Sequence, residues 1–243
     1  MRSAFTRILL AIGLILVPMG RPAQAQAGYR LTLPVVLRSG SDYFGPIHSG
    51  DGTYYYATGD GACMFGPSPS KMMVAAMNHV DYGTADLCGA YVRATGPKGS
   101  VLVRIVDLCP ECPAGDIDFS QEAFAVIAEL PQGRVPITWQ LASPPIAGPV
   151  AYVIKDGSNQ WWTAVQVRNH RNPIAALEYK NGSGTFVNVP RMSYNYFVQA
   201  SGMGPGPYTF RITDVFGNVL IDSNIPLAPD VVTPGVGQFP QAP

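Results

Sequence analysis

Glycine and proline interrupt this chain at short intervals, which limits the length of any helix. The 243 residues include 26 glycines and 23 prolines, distributed along most of the sequence. Proline cannot donate a backbone hydrogen bond and glycine favours turns, so this composition suits short strands joined by turns better than long helices. A chain of this length fits one large domain or two of about 100 residues each. We therefore expect a mainly β protein.

The amino-terminal segment has the pattern of a secretory signal peptide. Arg2 and Arg7 precede an apolar run over residues 8–17, and the small residues Ala23 and Ala25 follow it. This pattern predicts a signal peptide over residues 1–25, with cleavage after residue 27 as the alternative. A membrane-spanning helix needs about twenty apolar residues, roughly twice the length of this run. Secretion is therefore favoured over membrane anchoring.

The balance of charged residues argues against an anionic binding partner. Lysine and arginine together number 16, as do aspartate and glutamate, and charged residues make up only 13% of the chain. Removal of the predicted signal peptide also removes three arginines, so the remaining chain is slightly acidic. A protein that binds nucleic acid or another anionic polymer normally carries a basic excess. We expect no nucleic-acid partner, no membrane partner and a monomer.

A proline-rich segment divides the chain into two units. The first unit contains SVLVRIVDL, an alternating strand, and a helix predicted over residues 121–130 with Ser120 as its N-cap. The second contains seven short strands, with NGSG and FGN as hairpin turns, which is typical of an antiparallel sandwich. The predicted boundaries are 45–142 for the first unit, 143–149 for the linker, 150–229 for the second unit and 230–243 for a Pro/Gly-rich tail.

Four carboxylates lie close together in the first unit. Asp107, Glu111, Asp116 and Asp118 share the segment VDLCPECPAGDIDFS. Glycoside chemistry uses carboxylates of this kind, one of which is kept protonated by a partly apolar site. Asp118 also lies two residues before a helix cap, so it could instead form a turn or complement the helix dipole. We expect Asp116 to be a solvated side chain on an exposed loop.

Adjacent aromatic residues mark the second unit. Trp161 and Trp162 are neighbours, and Tyr194 follows in SYNYF. Exposed aromatic rings can stack on the apolar faces of sugars. In a regular strand, adjacent side chains point to opposite faces, and one tryptophan would then belong to the core. Both are exposed only if the backbone is irregular, which the preceding DGSNQ permits.

The cysteines indicate disulfides rather than a metal centre. Cys63, Cys88, Cys109 and Cys112 follow a secretion signal, and three pairings are possible. The single CxxC is bracketed by prolines, and the three histidines are scattered among unlike neighbours. A zinc site would need further ligands at regular spacing. We therefore expect no metal site and no cofactor.

Taken in order, these motifs resemble those of bacterial expansins. The resemblance is carried by GTYYYATGDGACMFG, GPKGSVLVRIVDLCPECPAGDIDFSQEAF, NQWWTAVQVRNHRNP, SYNYF and GQFP. It implies a six-stranded double-psi β-barrel followed by an immunoglobulin-like β-sandwich that binds cellulose.

The resemblance also implies roles for individual residues. Asp118 occupies the position of a conserved aspartate like the general acid of family 45 endoglucanases, and Asp107 corresponds to a second aspartate. The threonine of the groove would be Thr53, with Thr58 as the alternative. Some relatives have tyrosine where this chain has Cys109, which predicts a less aromatic groove.

The cellulose-binding platform of the family would consist of Trp161, Trp162 and Tyr194. Related plant expansins pair the cysteines that correspond to Cys63 and Cys88, which leaves Cys109 and Cys112 as the second pair.

The activity implied by the resemblance is non-hydrolytic loosening of plant-type cell walls by a secreted, extracellular protein. Its partners would be cellulose and related neutral polysaccharides. Two alternatives stay open: an endoglucanase of the family 45 type, and a cell-wall carbohydrate-binding protein without loosening activity.

Overall fold

The computed structural model describes residues 43–68, 70 and 72–243. The predicted signal peptide, over residues 1–25 or 1–27, lies outside the described residues. Within the described part of the chain, no helix is long and apolar enough to cross a membrane.

The first domain is a closed six-stranded barrel, as the resemblance implies. Its strands run around the barrel in the order β1-β5-β2-β4-β3-β6. The β1–β5 and β2–β4 pairs are parallel, and the other neighbours are antiparallel. The strands are β1 (Tyr43–Tyr55), β2 (Val74–Asn78), β3 (Tyr91–Gly96), β4 (Gly99–Cys109), β5 (Ile117–Ser120) and β6 (Val135–Ala142).

Two short α-helices and a 3-10 helix accompany the barrel. They are α1 (His79–Tyr82), α2 (Gln121–Ile127) and the 3-10 helix Leu130–Gln132. Ser120 caps α2 as predicted, because its hydroxyl accepts a hydrogen bond from the Ala123 amide. The helix is shorter than the predicted 121–130, since the backbone is extended at Ala128 and the ring of Pro131 opposes continuation of the α-helix.

The second domain is a sandwich of two four-stranded antiparallel sheets. One sheet has the order β10-β9-β12-β13 and the other β11-β8-β7-β14. All seven predicted strands are present, and NGSG and FGN join β9 to β10 and β12 to β13. The strands are β7 (Ala151–Ile154), β8 (Thr163–Arg168), β9 (Ile174–Lys180), β10 (Phe186–Val189), β11 (Phe197–Gln199), β12 (Tyr208–Asp214), β13 (Val219–Ile225) and β14 (Val232–Pro234).

The segment predicted as a tail belongs to the sandwich. Strand β14 pairs with β7, and Phe239 packs in the core with 1% of its surface exposed. The Asp222 carboxylate accepts hydrogen bonds from Tyr152 and from the Val236 amide. Proline in this segment argued against a strand when only the sequence was considered. An edge strand tolerates proline because one side of its backbone needs no partner strand. The sandwich therefore does not end at residue 229.

Buried hydrogen bonds join the barrel to the sandwich. The Cys63 carbonyl accepts from the side-chain amides of Gln166 at 2.9 Å and Asn195 at 3.2 Å. In the opposite direction, the Tyr82 hydroxyl donates to the Ser193 carbonyl at 2.8 Å. Segment 143–149 contains no strand and connects the domains covalently. The sandwich is thus attached both by the chain and by side chains that bind the barrel backbone.

The disulfide pairing agrees with the prediction. Cys63 is bonded to Cys88, and Cys109 to Cys112. The first bond connects two loops that contact the sandwich, whereas the second closes the short turn at the end of β4.

Candidate functional site

Strand pairing places the predicted groove residues in one row across the barrel. Thr53 of β1 pairs with Asp118 of β5, which pairs with Ala76 of β2, which in turn pairs with Asp107 of β4. Two strand spacings separate the aspartates, about 9–10 Å between their Cα atoms. The residue between them, Ala76, has only a methyl side chain.

A β-bulge brings Asp107 onto this face of the barrel. Ala75 pairs with Ile105 and Ala76 with Asp107, so Val106 is an extra residue in β4. Strict alternation would place Asp107 on the same face as Ile105, which lies in the core. The bulge reverses this orientation, a common use of bulges beside functional sites.

Asp118 is half-buried and bonded to Thr53. The threonine hydroxyl donates to the Asp118 carboxylate at 2.5 Å. Burial raises the pKa of Asp118; the Thr53 hydrogen bond opposes this effect, and the charge of Glu111 adds to it. The predicted alternative, Thr58, lies in an exposed turn where its hydroxyl accepts from the Asp60 amide. Thr53 is therefore the threonine that the structure brings to Asp118.

The Asp107 carboxylate accepts hydrogen bonds from backbone amides. Its Oδ1 atom accepts from the Ala62 amide at 2.7 Å and from its neighbour Leu108 at 2.8 Å. Gly61 allows the close approach of this loop, because a Cβ atom there would lie 2.2 Å from the Asp107 carboxyl carbon. Asp107 thus fixes the loop that follows β1.

The row of predicted site residues has an aromatic neighbour that the sequence analysis missed. Tyr55 packs against Ala76 and the Cys109–Cys112 disulfide. The expectation of a less aromatic groove considered only Cys109, but a ring comes from β1 instead. A signal was present in the sequence: Tyr55 is two residues after Thr53, and alternate residues of a strand share a face.

The prediction that Asp116 is solvated is wrong. Asp116 is 7% exposed, and its carboxylate accepts from the Asp51 amide at 2.8 Å. Its second oxygen forms an ion pair with Arg134 at 3.4 Å. No local pattern could reveal this role, since Asp51 lies 65 residues away in sequence. Asp116 stabilises the loop, and Glu111 is the exposed carboxylate of the segment.

The adjacent tryptophans lie where the backbone enters β8. Trp161 is 71% exposed and Trp162 is half-buried. The Asn159 side chain accepts hydrogen bonds from the amides of both tryptophans, so the backbone turns here instead of extending. This is the irregularity that exposure of both rings requires.

Tyr194 lies toward the other end of the same sheet. It precedes β11, which pairs antiparallel with β8 such that Gln199 is opposite Thr163. Trp162 and Tyr194 therefore flank opposite ends of this strand pair, about 15–20 Å apart at 3.3 Å per residue. Tyr194 is half-buried, with its ring centroid 6.1 Å from that of Tyr196.

The described residues contain no group of three or more His, Cys, Asp or Glu side chains that could hold a metal ion.

Comparison with known proteins assigns the family. Residues 52–139 match the family model described as lytic transglycolase, which covers the barrel. Over 225 residues the chain is 38% identical to Expansin-YoaJ of Bacillus subtilis (strain 168), covering 87% of this chain and 94% of that protein. The chain belongs to the expansin family.

Solved expansin structures share this architecture. The apo-expansin of Clavibacter michiganensis superimposes with a TM-score of 0.75 at 30% identity, covering 80% of this chain and 99% of that one. An Asp-to-Asn variant of the Clavibacter protein in complex with cellohexaose gives a TM-score of 0.76 at the same identity and coverage. The barrel and sandwich described here are therefore the expansin fold.

Proposed function

We propose that this expansin is secreted and loosens cellulose-containing cell walls by separating glucan chains without cleaving them. The proposal rests on family membership and on the cellohexaose bound by the Clavibacter relative. The predicted signal peptide and two disulfides support an extracellular location, since disulfides persist in oxidising compartments.

The observation that carries the proposal is that the two aspartates differ in their hydrogen-bond partners: Asp118 binds a side-chain hydroxyl, whereas Asp107 binds backbone amides. Asp118 is half-buried with a pKa raised by burial, and its carboxylate accepts from the Thr53 hydroxyl, a hydrogen bond that it can exchange for one from a glucan hydroxyl. Asp107 Oδ1 already accepts two backbone hydrogen bonds, which hold this carboxylate against the loop that follows β1. Inverting hydrolysis needs a second carboxylate that is free to take a proton from water. The structural role of Asp107 in holding this loop supports competition for hydrogen bonds rather than bond cleavage.

In this proposal the sandwich binds the cellulose surface. Trp161, Trp162 and Tyr194 would stack on the apolar faces of the glucose rings, which requires no charge on the polymer. The barrel groove then acts on a chain at the surface that the sandwich holds.

Substitution of Asp118 tests the proposal. Asp118→Asn keeps the shape of the side chain and removes its titratable proton. It should abolish extension of plant wall strips under constant load while retention on cellulose stays at the wild-type level. Neither protein should release reducing sugar. Glu122→Gln is the matched control, because it removes an exposed carboxylate on α2 and should preserve wall extension.

Other outcomes assign other functions. Sugar released by the wild type but not by Asp118→Asn would identify an endoglucanase of the family 45 type. Release of soluble fragments from peptidoglycan would identify a lytic enzyme, the activity named by the family model that matches the barrel. Retention on cellulose without wall extension by the wild type would indicate a binding protein only.

A further inference from the structure

A second pocket lies on the wall of the barrel opposite the row that contains Asp118. It is lined by β3, β6 and the start of β1, and in the closed strand order β3 and β6 lie across the barrel from β5 and β2. Its volume is about 140 Å³. Pockets for larger ligands measure about 300 Å³ or more, so this one suits a single small group.

Arg93 brings a positive charge without a counter-ion to this pocket. Among the described residues it forms no ion pair, and its Nε atom is buried without a hydrogen-bond partner. Three other arginines each bind a carboxylate, namely Arg134, Arg191 and Arg211. A buried polar group without a partner destabilises the fold, so such groups are rare. A negatively charged ligand would supply the counter-ion that Arg93 lacks.

The start of β1 provides an apolar surface beside this charge. The Arg93 guanidinium carbon lies over the Tyr43 ring, 5.2 Å from its centroid. A guanidinium that stacks on a ring by its face keeps its N–H donors at its edge, in the fork that matches a carboxylate. Ile47 is exposed and lines the same pocket.

Neutral polar side chains complete the pocket. Gln140 of β6 pairs with Arg93 of β3. Two residues along, on the same face, Thr138 pairs with Thr95. These hydroxyl and amide groups can form hydrogen bonds with sugar hydroxyls. None of the described residues that line the pocket carries a carboxylate, so no negative charge there repels an anion.

We propose that this pocket binds a uronic acid residue of an acidic polysaccharide, with the sugar carboxylate paired to Arg93. The inference goes beyond the proposed function, because it concerns another wall of the barrel and does not require Asp118 to act on glucan. The charge balance of the whole chain argued against an anionic partner, but one carboxylate needs only one local positive charge. A protein bound to cellulose through the sandwich would then hold a second, acidic polysaccharide on its barrel.

Affinity electrophoresis in gels that contain polygalacturonate tests the assignment. The wild type should be retarded, and less so as salt is added, because the contact is ionic. Arg93→Gln should weaken binding about tenfold or more, the factor for one charged hydrogen bond. Lys98→Gln is the matched control, since it removes an exposed positive charge from the same domain and should bind like the wild type. Fully methyl-esterified polymer should retard none of the three proteins.

Equal retardation of Arg93→Gln and the wild type would overturn the proposal. An equal loss of binding in Lys98→Gln would also overturn it, because the polymer would then respond to overall charge and not to this pocket. Retardation by the esterified polymer would show that the carboxylate is not the group recognised.

A measurement on the wild type needs no variant. Digalacturonate should shift the backbone amide resonances of Thr95 and Thr138 and leave those of Thr53 and Asp118 in place. Shifts at Thr53 and Asp118 alone, or no shifts, would contradict the proposal. Retention on cellulose should be the same in all three proteins, and failure of the wild type to extend wall strips would overturn the proposed function without changing these results.

Discussion

Trp161 and Trp162 are neighbours in sequence but differ in burial, so their loss should have different effects. Trp161→Ala should lower cellulose retention and leave the melting temperature nearly unchanged, because 71% of this residue is exposed. Trp162→Ala should lower both, because part of its ring is buried and its removal exposes apolar surface. Pull-down on cellulose, normalised to folded protein, and thermal unfolding separate the two effects. A melting temperature lowered equally by both substitutions would contradict this assignment.

Single residues also show where sequence reasoning reaches its limit. The position of Thr53 opposite Asp118 agrees with the family pattern, and the cap at Ser120 follows from local chemistry. The orientation of Asp107 could not be predicted in this way. A bulge at Val106 reverses the alternation of side chains along the strand, and no residue type in SVLVRIVDL indicates the bulge. Tyr55 could have been found by applying the same parity to β1.

Among the elements of the structure, the two disulfides should differ in their contribution to stability. The Cys63–Cys88 bond spans 25 residues and the Cys109–Cys112 bond spans three. Loop-closure entropy assigns about 3.5 kcal/mol to the first and about 2 kcal/mol to the second. The double substitution of Cys63 and Cys88 by serine should therefore lower the unfolding free energy more than that of Cys109 and Cys112. Urea unfolding measures both, and the reverse order would contradict the expectation.

The sandwich was easier to predict than the barrel for a physical reason. Its hairpins join strands that are adjacent in sequence, so turn residues such as NGSG reveal the pairing. The barrel pairs β1 with β5 and β2 with β4, and no local signal encodes contacts between such distant segments. Its topology came from the family resemblance. Strand β14 was missed because proline in this segment argues against a strand in the sequence, although an edge strand that pairs only with β7 tolerates it.

For the whole molecule, a buried histidine makes stability depend on pH. His170 lies against the barrel loop at Gly89, where an added Cβ atom would lie 2.6 Å from its ring nitrogen. Burial lowers its pKa to about 4, compared with about 6.5 in an unfolded chain. Between these values the unfolded state binds more protons, so the stability present above pH 6.5 is lost as the pH falls toward 4.

The slope should reach about 1.4 kcal/mol per pH unit for this one group. His170→Gln should remove this contribution from the pH dependence of urea unfolding. An identical slope in His170→Gln and the wild type would show that His170 does not titrate on unfolding.

The hydrogen bonds to the Cys63 carbonyl would also transmit force between the two domains. A sandwich stacked on one polymer and a barrel engaged with another would experience tension when the polymers slide. Gln166 and Asn195 would carry that load directly into the barrel loop, which the disulfide to Cys88 stiffens. The linker at residues 143–149 would then not be the sole path of force. Tension on a cellulose-bound sandwich would thus reach the barrel through these hydrogen bonds as well as through the linker.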